Sequence, residues 1–104
     1  MIKINVIKEN INIKQVTVNG HANYNEYGLD IVCSSVSSIV QATIEYIVNI
    51  DKESIKFKIE DGLIIIDTLN KNEIVQKLLS TMTNILINLQ SQYNKNIKVK
   101  IREV

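Results

Sequence analysis

The apolar residues of this chain recur with two different periods, and the order in which those periods follow one another dictates the order of its elements. Over residues 1–8 they alternate, with Ile2, Ile4 and Val6 set against Lys3, Asn5 and Lys8. That is the pattern of a half-buried strand. A tight turn at Glu9-Asn10 leads to a second strand over 11–18, so the two form a hairpin. Apolar parity changes between Ile13 and Val16, which predicts a β-bulge there. Asn19-Gly20 ends the strand. From Asp30 to about Asn49 the spacing becomes helical, with Val32, Val36, Ile39, Val40, Thr43 and Ile47 in one stripe. Residues 55–59 and 63–67 are strands joined by Asp61-Gly62, a dipeptide suited to hairpin turns. Lys56 and Lys58 point outward in the first, and the second is apolar at consecutive positions, which places it inside the sheet. A second helical stripe runs through Ile74, Val75, Leu78, Leu79, Met82, Ile85, Leu86 and Leu89, and Met82 belongs to the core. Asn70 is its expected cap, with Glu73 three residues on as in a capping box. Residues 95–104 form a last strand with Ile97, Val99 and Ile101 on one face.

The order is therefore ββαββαβ. Each strand face and helix stripe is apolar on one side. The expected fold is α+β: a single domain over 1–104, built as a mixed sheet with two helices packed on one face. The chain has 104 residues and a hydrophobic fraction of 45%, enough for one core. A formal net charge of +1 offers no broad face for nucleic acid, and no direct nucleic-acid partner is expected. One cysteine excludes an internal disulfide and fits a reducing cytoplasm. Residues 1–13 lack the uninterrupted apolar region of a signal peptide. No apolar run approaches the length needed to cross a membrane, and no membrane partner is expected.

Chemistry concentrates between Gly20 and Ser38, which holds the only histidine, His21, and the only cysteine, Cys33, twelve positions apart. Asn23, Asn25, Gly20 and Gly28 interrupt regular structure before the helix. Asp30 is a natural N-cap, which places Cys33 in the first turn. Unpaired N–H groups and the helix dipole there favour a thiolate. Cys33 falls on the flank of the apolar stripe with Ser37 one turn later, an edge position both supported and reachable. The backbone N–H groups of Cys33 and Ser34 are candidate oxyanion donors. His21 can take the thiol proton and return it to a leaving amine. The bland alternative is a small buried cysteine and a structural histidine. One cysteine, one histidine and scattered carboxylates do not make a zinc site, so neither a metal nor another cofactor is expected.

The run Gly20-His21-Ala22, then Tyr24, Gly28, Asp30-Ile31-Val32-Cys33 and Val36-Ser37 resembles the signature of the ribosomal-processing cysteine protease family, Prp. Ser34-Ser35 depart from it, standing where small apolar residues, commonly alanines, are usual. The resemblance implies a bacterial, cytoplasmic cysteine endopeptidase. It would remove the N-terminal extension of a large-subunit ribosomal protein, cleaving after an aromatic residue. It implies Cys33 as nucleophile and His21 as base. Asp30 would orient the histidine or shape the loop, and Ser37 would be a supporting residue. It also implies a homodimer. Gly20 and Gly28 bound the loop as hinge candidates. Tyr24 and Tyr27 would stack on substrate or anchor the loop. The loop as a whole is expected to act as a lid. Lys98, Lys100 and Arg102 would touch ribosomal RNA or, more simply, form a charged, solvated strand edge. The rival reading is a non-catalytic module that binds a ribosomal protein or ribosomal RNA.

Overall fold

The computed structural model describes residues 1–20 and 29–104, with the side chains of Leu29 and Asp30 left outside that description. The elements follow the expected order: β1 (Ile2–Glu9), β2 (Asn12–Asn19), α1 (Leu29–Asp51), β3 (Ile55–Glu60), β4 (Leu63–Thr68), α2 (Glu73–Gln92) and β5 (Ile97–Glu103). The five strands make one sheet in the order β3-β4-β2-β1-β5. Neighbours are antiparallel except β1 and β5, which run parallel. The sheet is therefore mixed, and β4 lies inside it.

Register explains the core. Val6 pairs with Val16 and Val16 with Ile66, while Ile4 pairs with Val18 and Val18 with Ile64. Since alternate residues share a face, these rows cover one side of the sheet. Val32, Val36, Val40, Ile44 and Ile47 of α1 and Val75, Leu79, Met82 and Leu86 of α2 bury against that side in one continuous cluster. Both helices thus pack on the same face.

The bulge falls where parity predicted it. Ile7 pairs with Gln15 and Lys8 with Ile13, which leaves Lys14 as the extra residue. The preceding turn lies one residue later than expected. Asn10 adopts φ 57, a left-handed conformation that asparagine tolerates. Ile11 beside it is 87% exposed instead of beginning the strand.

The helices differ more from the expected pattern. Ile44 joins the α1 core, whereas Ile39 and Thr43 are only half-buried. Helix α1 begins at Leu29, so Asp30 lies within the first turn and is not the N-cap. By length and mean hydropathy, Ile31–Asp51 would suffice to cross a membrane, contrary to the sequence reading. Its apolar face is instead spent on the core. Helix α2 is capped by Asn72, not Asn70, and no capping box with Glu73 forms. The Asn72 side chain accepts from the N–H groups of Ile74 at 3.0 Å and Val75 at 3.2 Å. Its amide also donates to Asp51 Oδ2 at 3.2 Å. That bond to the end of α1 gives Asn72 a tertiary partner that a local pattern cannot show. Ile74 and Ile85, counted in the α2 stripe, are exposed. At the sheet edges Phe57, Ile59 and Ile101 are also exposed, although their register puts them on the helix side.

Candidate active site

A cleft of about 260 Å³ opens between the first half of α1 and the tip of the β3–β4 hairpin. Cys33, Ser37 and Gln41, each one helical turn from the next, line one wall. Glu60, Asp61 and Gly62 at the hairpin tip line the other, and Ile2, Val18 and Ile64 give the cleft an apolar floor. Among the described residues, Cys33 thus has core packing behind it and the cleft before it. Cys33 is half-buried and packs against the core. This is the edge position its place on the helical wheel predicted.

Two of the electrostatic expectations do not hold. With α1 starting at Leu29, Cys33 is its fifth residue and lies in the second turn, not the first. The dipole acts mainly within the first turn, so the helix start gives a thiolate at Cys33 less support than expected. The N–H groups of Cys33 and Ser34 also follow the first four of the helix. In a regular helix they bond to carbonyls four residues back, which removes them as oxyanion donors pointing out of a helix end.

Gly20 joins the parts of the cleft. Its N–H donates to the carbonyl of Gly62 at 3.1 Å, tying the end of β2 to the hairpin tip. Its backbone adopts φ +134, and a Cβ built there would lie 2.4 Å from the carbonyl oxygen of Met1. Only glycine allows this approach in this conformation. The next residue in the chain is His21. His21, Tyr24, Tyr27 and Gly28 fall outside the described residues, and so does the expected lid. Asp30 is placed in α1 by its backbone alone.

Ser37 shares the α1 wall with Cys33, and its Oγ accepts from Nε2 of Gln41 at 2.6 Å. The sequence reading did not single out Gln41 or the hairpin tip. Gln41 was detectable in principle, two turns after Cys33 on the same side. Asp61-Gly62 predicts the hairpin turn, but nothing local shows that it faces the thiol. Lys98, Lys100 and Arg102 are exposed on the edge strand β5, on the face away from the helices.

The model of the family described as cysteine protease Prp matches residues 1–98. The ribosomal processing cysteine protease Prp of Staphylococcus aureus (strain Mu50 / ATCC 700699) is 28% identical over 95 residues, which cover 86% of this chain and 88% of that protein. The crystal structure of an essential ribosomal processing protease Prp from S. aureus, in complex with a substrate peptide, matches with a TM-score of 0.90 at 26% identity. The match covers 98% of this chain and 100% of that one. A second S. aureus structure, in complex with a covalently linked product peptide, matches with a TM-score of 0.87 at 27% identity, with coverage of 98% and 100%.

Proposed function

Since the chain belongs to the cysteine protease Prp family and is a cysteine endopeptidase, we propose that it removes the N-terminal extension of a large-subunit ribosomal protein, with Cys33 as nucleophile and His21 as base. The observation that carries this reading is the position of Cys33, half-buried on the wall of a cleft with an apolar floor. The Cys33 thiolate attacks the scissile carbonyl carbon. His21, having taken the thiol proton, returns it to the departing amine. The resulting thioester is then hydrolysed by water, with His21 again as base. The S. aureus relatives bound to a substrate peptide and to a covalently linked product support this two-step course.

Cleavage follows an aromatic residue, a preference that the floor of Ile2, Val18 and Ile64 suits. Ser37 supports the site from the α1 wall. Asp30 either orients His21 or shapes the loop, and Tyr24 and Tyr27 either stack on the substrate or anchor the loop between Gly20 and Gly28. The whole of 1–104 works as one protease domain, as a cytoplasmic homodimer without direct nucleic-acid contact. The non-catalytic binding module is set aside because the family is enzymatic.

The test is incubation with a peptide spanning the N-terminal extension of a large-subunit ribosomal protein from the same organism, read by mass spectrometry. One cut after an aromatic residue is expected, with none for Cys33→Ala. An intact peptide, or equal cleavage by that variant, would overturn the reading.

A further inference from the structure

The sheet has two edges, and only one of them is covered by a side chain. At β5 the Val99 N–H donates to Oε1 of Gln90 on α2. At the other edge, β3 bonds to β4 alone. Among the described residues no side chain bonds to the β3 backbone. Its outward N–H and C=O groups are therefore open to another chain. Lys56 and Lys58 lie on the face of β3 away from the helices, and Lys58 is paired with Glu60 at 3.1 Å. The helix side is different. There Ile55, Phe57 and Ile59 pair with Thr68, Ile66 and Ile64 of β4. Ile55 is buried, but Phe57 and Ile59 are each 45% exposed. β3 starts soon after α1 ends at Asp51, and by Ile59 it has come back to the cleft, which Ile59 lines together with Cys33, Ser37 and Gln41 of α1. Phe57 shares that face and sits about 7 Å further along the strand. An apolar step thus continues from the cleft wall onto the open edge.

We propose that the substrate peptide leaves the cleft along the free edge of β3 as an added strand, with alternate apolar side chains resting on Ile59 and Phe57. The proposal rests on the cleft at Cys33 being the site of cleavage. A strand added to a sheet edge gains affinity from main-chain hydrogen bonds and specificity from its alternate side chains, which meet one face of the sheet. Here that face is apolar, so peptide residues two apart are selected for apolar character. The residues between them turn to the open face and stay in water. Phe57 and Ile59 are thus specificity-determining residues, and Phe57 acts from outside the cleft. Contacts made away from the reacting bond are alike in ground state and transition state, so their loss appears in KM and not in kcat.

The test measures kcat and KM for wild type, Phe57→Ala and Phe57→Leu on the ribosomal-protein peptide and on two shortened forms, one cut back on each side of the scissile bond. A melting curve checks that each variant is folded at the assay temperature. Phe57→Ala should raise KM about tenfold on the full peptide with little change in kcat. Phe57→Leu, which keeps an apolar side chain, should recover most of the loss. Shortening the peptide on the β3 side should make wild type and Phe57→Ala alike, while shortening the other side should leave the difference in place. Two further peptides carry backbone N-methyl groups at alternate positions, in opposite phase, and test the strand pairing without altering the protein. One should bind wild type about tenfold more weakly than the other, because only one of them loses hydrogen bonds to β3. A wild-type KM for Phe57→Ala overturns the proposal. So does a loss that persists with both shortened peptides, or equal binding of the two methylated ones. If Cys33→Ala still cleaves, the nucleophile assignment falls and the site with it. If Cys33→Ala is dead and Phe57→Ala keeps the wild-type KM, only the path along β3 is wrong.

Discussion

Gly20 shows how much one residue can fix. A side chain there must displace the Met1 carbonyl while holding a backbone conformation that L-residues avoid. Gly20→Ala should therefore cost about 2 kcal/mol of stability, measurable by urea unfolding. It should also slow cleavage by moving the hairpin tip bonded to it. Full activity with unchanged stability would show that Met1 yields freely. For His21→Ala we expect the chemical step to fall by ~10²–10⁴-fold, the range for loss of a general base. Single-turnover cleavage measures this, and a smaller fall would remove His21 from that role. Asp30→Asn separates two functions. As an acid in the first turn of α1, Asp30 contributes about 0.5 kcal/mol through the helix dipole. As an orienter of His21, its loss would reduce turnover far more than stability. A variant that unfolds slightly earlier yet cleaves at the wild-type rate would confine Asp30 to the helix.

At the scale of elements, periodicity carried most of the information. The bulge in β2 was legible because a bulge shifts the parity of apolar residues, and Lys14 sits at that shift. The cap of α2 was not, because Asn70 and Asn72 are alike in local chemistry. Only the bond from Asn72 to Asp51 tells them apart, and it joins the start of one helix to the end of another. Asn72→Ala should thus lose the cap and that tie together, costing about 1–2 kcal/mol. Asn70→Ala should cost far less. Thermal melts of the two variants check this, and equal losses would return the cap to Asn70. The oxyanion expectation failed through a small boundary error. With α1 already helical at Leu29, the N–H groups of Cys33 and Ser34 come after the first four of the helix, where a regular helix bonds them.

For the molecule as a whole, the sequence could place the thiol but not what faces it. The wall formed by Glu60, Asp61 and Gly62 depends on β4 pairing with β2, and on the bond between Gly20 and Gly62. Such long-range pairings leave no periodic trace. The core, in contrast, is one cluster shared by both helices and the sheet, so loss of packing far from the cleft should be felt everywhere. Leu86 is fully buried in α2 and does not line the cleft. Leu86→Ala should lower stability by about 2–5 kcal/mol in a single cooperative urea transition with an unchanged slope. Cleavage per folded molecule should stay near wild type. A biphasic transition would mean that α2 and α1 do not share one core.

The parallel pairing of β1 with β5 has a practical side. The chain begins at the cleft, where Ile2 forms part of the floor and Met1 lies under Gly20. It finishes at the far end of the sheet, where the Val104 N–H meets the carbonyl of Lys8. A purification handle or reporter fused ahead of Met1 is therefore expected to slow cleavage more than the same fusion after Val104, which cleavage rates of the two fusions would check.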